Sequence, residues 1–306
     1  MLADACHKRK VPLCFYYSIA DWNHKNYPNL GRHHELEKPE PGDSPDWDKY
    51  MTFLKAQVKE LCSNYGTIHG FWWDMNVPEY YDPTVNDMIR KLQPDAIINN
   101  RGFDEGDYGT PERNEDKDAN EARAFKGATE ACESLDSLSW GYNKGAEYYT
   151  DRHLTGSIDR YFSASANYLL NVGPTAEGLI PETSAAILKR IGKWYASVKT
   201  SYEAVQPVTQ IITNPEVSVT RRNQTYYIHF NRGLSTNGFS LNPINVMPEK
   251  AVLLNDGRSV ECSISMVPRD YLTQKKFLRL KNLPVTEFYD KVMVVKLEFG
   301  ETINSV

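Results

Sequence analysis

The sequence predicts an α/β fold, a (β/α) barrel that is incomplete at its N-terminus, followed by an antiparallel β-sandwich. Short apolar segments that end in polar residues alternate with amphipathic helical segments as far as about residue 205, which is typical of a parallel α/β arrangement. After this point, short alternating segments are separated by turn residues, as in a sandwich. A complete barrel needs about 250 residues, and only about five strands precede the change. We therefore predict a short barrel domain at 1–205 and a sandwich domain at 206–306.

The composition predicts neither nucleic-acid binding nor a membrane span. The 306 residues carry a net charge of -5, and their basic residues form only short clusters such as Lys8-Arg9-Lys10. No apolar run approaches the roughly 20 residues that cross a bilayer. The first ten residues place their charges after the apolar residues, opposite to the order in a signal peptide. The five cysteines lack C-x-x-C spacing, so we expect no metal site and no redox motif.

The chain begins with a helix tail at 2–8 and an apolar strand at 11–17. A polar, proline-rich stretch at 18–46 follows, and a loop of that length is usually functional. Residues 48–65 then show helical periodicity, and Gly66 is a stop signal.

Residues 68–74, I-H-G-F-W-W-D, predict a buried parallel strand that ends on a carboxylate. In barrels of this class, chemistry collects at the carboxyl ends of the strands, so Asp74 is a candidate catalytic residue. The alternative is that Asp74 caps the following loop. Trp72 and Trp73 point to opposite faces of the strand, and an aromatic plane beside a carboxylate suits a sugar ring.

The remaining barrel elements repeat this alternation. A helix at 83–91 precedes a strand at 95–100, whose polar end is Asn99, Asn100 and Arg101. After a long acidic loop and the segment 128–142, the sequence predicts a helix around 158–167, a strand at 168–172 and a helix at 181–199.

Several of these segments, in order, resemble the family 29 glycoside hydrolases, the α-L-fucosidases. The matching motifs are F-Y-Y-S at 15–18 with Asp21-Trp22, F-W-W-D at 71–74, N-N-R at 99–101, G-T-P-E at 109–112, S-W-G-Y at 139–142 and N-Y-L-L-N-V-G-P at 167–174. The resemblance covers residues 3–205 and includes a sandwich after the barrel. It implies a retaining exo-glycosidase that removes terminal α-L-fucose from glycans without a cofactor.

The resemblance also implies roles for individual residues. Asp74 matches the family nucleophile, and Tyr17, Trp72 and Arg101 match positions that line the fucose pocket. Trp140, from S-W-G-Y, is a further predicted substrate-binding residue. Retaining chemistry needs a second carboxyl about 5 to 5.5 Å from the nucleophile, which protonates the leaving oxygen and then activates water.

The predicted acid/base is Glu130. In many relatives this residue is the glutamate of a W-E-x-C stretch ahead of S-W-G-Y, and here the tryptophan is replaced by Thr129. Glu112 is the alternative and Glu133 a third candidate. In structural roles, Glu112 would pair with Arg113 or Arg101, and Glu133 would be solvated.

The sequence departs from the family pattern in one larger respect. It lacks the K-H-H-D-G-F type segment whose histidines bind the sugar hydroxyls in the family, and His33-His34 lies in a different context. Two further hypotheses therefore stand beside an active fucosidase. One is a catalytically impaired, truncated fucosidase-like protein with a sugar-binding or assembly role, and the other is a retaining glycosidase of another sugar.

An incomplete barrel would leave the strand at 11–17 at an open edge, a state that proteins normally cover. We therefore expect a homo-oligomer that buries this edge. Family members are extracellular, periplasmic or lysosomal, although this chain shows no signal peptide.

Overall fold

The computed structural model describes residues 1–27, 41–75, 82–113, 127–208, 217–241, 244–266, 272–301 and 303. The chain divides into two compact units, the first unit Met1–Thr110 and the second unit Pro111–Val306. The domain boundary at 205/206 stays a prediction. Much of the predicted functional loop at 18–46, including His33 and His34, lies outside the described residues.

Among the described residues of the first unit are three parallel strands and three helices. The strands, in sheet order, are β1 (Cys14–Ser18), β2 (Gly70–Asp74) and β3 (Ile97–Ile98). The helices are α1 (Leu2–Arg9), α2 (Trp47–Asn64) and α3 (Thr84–Leu92). Helices α2 and α3 each connect two successive strands, which allows those strands to run parallel. The register places Tyr16 beside Trp72 and Ser18 beside Asp74.

The sheet of the first unit has two different faces. One face packs under α2 and α3 and forms a core. Its buried members include Phe71 and Trp73 from the sheet, Leu54 and Val58 from α2, and Val85 and Ile89 from α3. Each buried aliphatic or phenylalanine side chain contributes about 1.5 to 3 kcal/mol. Because side chains alternate along a strand, Tyr16, Trp72 and Asp74 lie on the opposite face, which we call the open face.

The second unit contains a further parallel pair of strands. Strand β4 (Glu130–Ser134) pairs with β5 (Asn167–Asn171), with α4 (Asp151–Ser163) between them in sequence and α5 (Glu182–Val198) after them. Helix α4 begins at Asp151 rather than near Ile158, so the predicted bounds were wrong. The cause is Thr150, whose hydroxyl accepts a hydrogen bond from the amide of His153 and caps the helix.

Two antiparallel sheets complete the second unit. Their strands are β6 (Gln206–Pro207), β7 (Ser218–Arg222), β8 (Thr225–His229), β9 (Phe239–Leu241), β10 (Lys250–Leu253), β11 (Glu261–Met266), β12 (Lys276–Lys281) and β13 (Val294–Glu298). One sheet has the order β10-β13-β8-β7-β6 and the other β11-β12-β9. Ile228 and Val295 from the first sheet and Leu278 from the second belong to one buried core. The chain is therefore a mixture of helices with parallel strands, followed by antiparallel sheets.

A polar cluster around the completely buried Asp159, His229 and Thr220 fixes α4 to the larger antiparallel sheet. Nδ1 of His229 lies 2.6 Å from Oδ1 of Asp159, and neither side chain is exposed. The hydroxyl of Tyr202 donates to the same oxygen of Asp159 at 2.6 Å, and Nε2 of His229 contacts the hydroxyl of Thr220 at 3.0 Å. Burial, and then the charge of Asp159, raises the pKa of Tyr202 well above its ordinary value. We call these four residues the buried joint.

Candidate active site

The Asp74 carboxylate lies at the carboxyl end of β2, on the open face. Its Oδ2 accepts a hydrogen bond from the hydroxyl of Tyr16 at 2.5 Å. Its Oδ1 accepts one from Nη1 of Arg101 at 3.0 Å. The side chain of Asp74 is 23% exposed, so the group is held by both neighbours and is still accessible. A positioned carboxylate of this kind can act as a nucleophile or a base.

Trp72 lies between the two residues that hold Asp74. Tyr16, its register partner on β1, stacks on the indole with ring centroids 5.5 Å apart and an angle of 16° between the ring planes. The guanidinium carbon of Arg101, which follows β3, lies 4.7 Å from the centre of the indole. The indole Nε1 is buried and makes no hydrogen bond to the described residues. The indole is therefore held as a support for Tyr16 and Arg101.

The backbone ahead of Asp74 is held by a buried asparagine. Oδ1 of Asn99 accepts from the amide of Trp73 at 2.8 Å, and Nδ2 of Asn99 donates to the carbonyl of Trp73 at 2.9 Å. The Trp73 indole donates to Asn86 at 2.9 Å, and Asn86 donates to Asp104 at 2.6 Å. These bonds satisfy polar groups that are costly to bury alone, and they fix the strand end that carries Asp74.

Arg101 is held on its other side by Thr110. Its Nε donates to the Thr110 hydroxyl at 2.9 Å, and its Nη2 donates to the Thr110 carbonyl at 3.0 Å. Thr110 is itself held by Asn100, whose Oδ1 accepts from both the amide and the hydroxyl of Thr110 at 3.1 and 3.0 Å.

The structure does not bring Tyr17, the predicted pocket tyrosine, to Asp74. Tyr17 lies on the helix-covered face, where its hydroxyl donates to Oε1 of Gln57 at 2.5 Å. Burial, with a smaller contribution from the charge of Asp21, raises the pKa of Tyr17 to about 12. Tyr16 occupies the position beside Asp74 instead. A register that pairs Ser18 with Asp74 places Tyr16, two residues back, on the same face as Asp74. The sequence alone does not give this register, so it did not identify Tyr16.

The candidate acid/base residues lie in the second unit. Glu130 is the first residue of β4. On the same strand, Ala131 and Glu133 pack toward α4, and Glu130 has the opposite place in the alternation of side chains. Its side chain therefore lies on the face turned away from the helices. The Glu130 carboxylate makes no hydrogen bond within the described part of the chain. Its place at the amino end of the strand is unlike that of Asp74 at a carboxyl end.

Glu112 and Glu133 have different surroundings. The backbone of Glu112 forms an isolated parallel β-bridge with Cys132, which lies in the middle of β4. Glu133 is almost completely buried, with Oε1 accepting from the amide of Ser134 at 3.1 Å. Its Oε2 lies 3.4 Å from Nε2 of His153 in the first turn of α4. Glu133 was expected to be solvated if structural, and that expectation was wrong because α4 covers it.

Trp140 lies on the loop that follows β4 and is 37% exposed. The guanidinium carbon of Arg113 lies 4.6 Å from the centre of its ring. Its carbonyl accepts from Nδ2 of Asn171 at 2.7 Å. A Cβ atom on Gly173 would lie 2.4 Å from the carbonyl carbon of Gly141, so the motifs S-W-G-Y and N-Y-L-L-N-V-G-P touch at a point where position 173 has no room for a side chain. These contacts hold an exposed aromatic ring that suits a sugar.

Sites of two other kinds are absent from the described residues. No helix there combines the length and the apolar character of a membrane span. No group of three or more His, Cys, Asp or Glu side chains in that part of the chain is arranged to hold a metal ion.

Solved structures similar to this chain are α-L-fucosidases. α-L-Fucosidase isoenzyme 1 from Paenibacillus thiaminolyticus has a TM-score of 0.72 at 28% identity, over 98% of this chain and 74% of that one. The enzyme from Vibrio sp. strain EJY3 has a TM-score of 0.74 at 20% identity, over 99% of this chain and 54% of that one. A trapped covalent intermediate of the Bacteroides thetaiotaomicron enzyme has a TM-score of 0.69 at 21% identity, over 97% of this chain and 70% of that one.

Sequence comparisons give the same relationship. Rat plasma α-L-fucosidase is 35% identical over 79 residues, which is 25% of this chain and 17% of the relative. Mouse tissue α-L-fucosidase is 33% identical over 106 residues, 33% of this chain and 24% of the relative. The matched segments thus span a quarter or less of these relatives. The family model described as Alpha-L-fucosidase matches residues 1–234, and the chain therefore belongs to the α-L-fucosidase family.

Proposed function

We propose that this protein is a retaining exo-glycosidase that hydrolyses terminal α-L-fucose from glycans, with Asp74 as its nucleophile. The observation that carries the proposal is the accessible Asp74 carboxylate at a strand end, bonded to Tyr16 and Arg101. A carboxylate oxygen of Asp74 attacks the anomeric carbon of fucose while the bond to the leaving oxygen breaks and a second carboxyl protonates that oxygen. Water, deprotonated by the same second residue, then releases fucose with its configuration retained.

The neighbours of Asp74 have defined tasks in this scheme. The guanidinium of Arg101 and the hydroxyl of Tyr16 each donate a hydrogen bond to the carboxylate and fix its orientation. Trp72 has Tyr16 and Arg101 against its ring and its Nε1 is buried, so its task is to support these two residues beside Asp74. Tyr16 is 63% exposed and presents an aromatic surface to the sugar, a task that the sequence had assigned to Trp72. Trp140 is a second aromatic surface.

Glu130 is the first candidate for the acid/base, with Glu112 as the alternative. Glu130 lies on the side of β4 away from the helices and is not engaged by the described residues, as a proton donor to substrate requires. The Glu133 carboxylate already contacts the ring of His153 and accepts a hydrogen bond from the Ser134 amide. Replacement of the true acid/base by alanine slows hydrolysis of the fucosyl-enzyme intermediate, and azide restores turnover by forming fucosyl azide. We expect rescue for Glu130→Ala. Rescue of Glu112→Ala alone would reassign the role.

Turnover of nitrophenyl α-L-fucoside tests the proposed function. Proton NMR of the first product anomer identifies the stereochemistry, and we expect the α-anomer to appear before mutarotation. Absence of nitrophenol release from the wild-type protein would reject the activity, and initial appearance of the β-anomer would reject retention.

The proposal extends to architecture and assembly. We propose that β1 to β5 belong to one (β/α) barrel at residues 1–205 and that the sandwich domain occupies 206–306. Strand β1 is an edge strand of the sheet in the first unit, and Val11, three residues ahead of it, is 51% exposed. A second copy of the chain would cover this edge. Light scattering at micromolar concentration is expected to give an oligomer, and a monomer would contradict this part of the proposal.

A second function is a fucose-binding or assembly protein without turnover. A shared fold does not fix catalytic activity, so this function is tested beside the first. Retained fucose binding by calorimetry, together with no nitrophenol release, would favour this function over the first.

A further inference from the structure

We propose that Thr110 is a positioning residue for the proposed fucosidase reaction, acting through Arg101 on Asp74. The inference rests on the proposed function. Thr110 does not touch Asp74, but it contacts two different nitrogens of the guanidinium whose third nitrogen bonds that carboxylate. The resemblance to the α-L-fucosidases implied no role for Thr110.

The proton of the Thr110 hydroxyl can be placed from its partners. Nε of Arg101 is always a donor, so the hydroxyl oxygen accepts from it at 2.9 Å. Oδ1 of Asn100 accepts from the Thr110 amide, and a carbonyl oxygen is only an acceptor. The hydroxyl proton therefore points to Asn100 at 3.0 Å. The result is a directed chain of hydrogen bonds from Arg101 through Thr110 to Asn100.

The geometry fixes the plane of the guanidinium. Two contacts to one residue, through Nε and Nη2, restrict both the rotation and the tilt of the planar group. The remaining contact directs Nη1 at Oδ1 of Asp74, and the same plane lies over the Trp72 ring. A small rotation of Arg101 would therefore change the orientation of the carboxylate and its contact with Trp72 together.

Thr110 is itself held firmly. It is buried, and the loop that leads to it is attached to β3. The amide of Asp107 donates to the carbonyl of Ile98 at 2.6 Å, and the carboxylate of Asp107 accepts from the amide of Ile98 at 2.8 Å. The amide of Asn100 donates to the carbonyl of Tyr108 at 3.0 Å. A residue supported in this way can transmit position to Arg101.

The test compares Thr110→Val, which keeps the shape but removes the hydroxyl, with Thr110→Ser, which keeps the hydroxyl. We expect Thr110→Val to lower kcat roughly 10- to 100-fold, the cost of a misplaced catalytic group, with a smaller change in KM. Thr110→Ser should restore most of kcat. Thr52→Val, whose hydroxyl bonds only the carbonyl of Asp48 in its own helix, is the control for the exchange itself.

A second readout does not depend on turnover. The Nε–H signal of Arg101, identified by its loss in Arg101→Lys, should be protected from solvent exchange in the wild-type protein and in Thr110→Ser, and exposed in Thr110→Val. If the wild type does not hydrolyse the fucoside, the proposed function fails, and this signal alone decides whether Thr110 holds Arg101. An unchanged signal, or equal kcat for the valine and serine variants, would overturn the inference. If Thr110→Val does not fold, Asn100→Ala, one step further along the chain of bonds, should give the same loss of protection.

Discussion

Two aspartates in this molecule have nearly the same partners and very different surroundings. Asp74 accepts from a tyrosine hydroxyl at 2.5 Å and from Arg101 at 3.0 Å. Asp159 accepts from a tyrosine hydroxyl at 2.6 Å and contacts His229 at 2.6 Å. Asp74 is partly exposed at a strand end, whereas Asp159 is completely buried. Similar hydrogen bonds therefore hold an accessible carboxylate, which the proposed reaction uses, and a buried carboxylate in a structural joint.

The two carboxylates should respond differently to mutation, and the largest effect should be on turnover. Asp74→Asn removes the nucleophile and is expected to lower kcat/KM at least roughly 10³-fold, with little change in the thermal unfolding midpoint. Hydrolysis of nitrophenyl α-L-fucoside and a thermal melt measure the two quantities. An Asp74→Asn variant as active as the parent would remove Asp74 from the mechanism.

Replacement of the buried aspartate should affect stability instead. Asp159→Ala leaves His229 and Tyr202 without their partner in the interior, which costs about 3 to 5 kcal/mol of the free energy of unfolding. A urea titration followed by tryptophan fluorescence measures this loss. Glu261→Ala, which breaks an exposed pair with Lys281, is the matched control and should cost less than about 1 kcal/mol. Equal losses in the two variants would show that burial does not distinguish the sites.

The adjacent tyrosines of β1 provide a finer comparison on one strand. Tyr16→Phe removes the hydrogen bond to the Asp74 carboxylate, and we expect kcat/KM to fall roughly 10- to 100-fold, since a bond to a charged group contributes about 1.5 to 3 kcal/mol. Tyr17→Phe removes a bond to Gln57 on the other face and should leave the rate nearly unchanged. If Tyr17→Phe lowers the rate and Tyr16→Phe does not, then Tyr17 lines the sugar pocket, as the motif match had implied.

The smallest expected effect is on alkaline stability. Because burial raises the pKa of Tyr17 to about 12, the folded protein holds this proton more tightly than the unfolded chain, whose tyrosines ionise near 10. The stability contributed by neutral Tyr17 is complete below about pH 10 and is lost as the pH rises toward 12. Tyrosine absorbance at 295 nm and the urea midpoint should show this loss, and Tyr17→Phe should reduce it. A Tyr17 that ionises at pH 10 without loss of stability would contradict the prediction.

Much of the secondary structure could be predicted from periodicity. The helices α2 and α5 and the strands β2 and β5 lie within two residues of the predicted bounds, because each has a continuous apolar pattern and a clear stop signal. Strands β9 and β11 were not predicted. Strand β11, E-C-S-I-S-M, mixes small polar and apolar side chains and takes its structure from its pairing with β12.

The candidate site was predictable in type more than in detail. The strand-end carboxylate Asp74 and the neighbouring Arg101 follow from the position of polar residues after apolar strands. The choice between Tyr16 and Tyr17 depends on the register of β1 with β2, which shifts every side chain to the other face if it moves by one residue. The proposed role of Thr110 depends on a loop that returns to β3, and no local sequence pattern predicts such a contact.

Covalent labelling of Asp74 tests the proposed reaction at the atom that carries it. A 2-fluoro-fucosyl fluoride reacts with a retaining enzyme to leave a slowly hydrolysed fluorofucosyl ester on the nucleophile. The proposed function predicts one label per chain, found by mass spectrometry on the Asp74 carboxylate and absent from Asp74→Asn. A label on another carboxylate, or none in a protein that hydrolyses the fucoside, would contradict the assignment of Asp74 as the nucleophile.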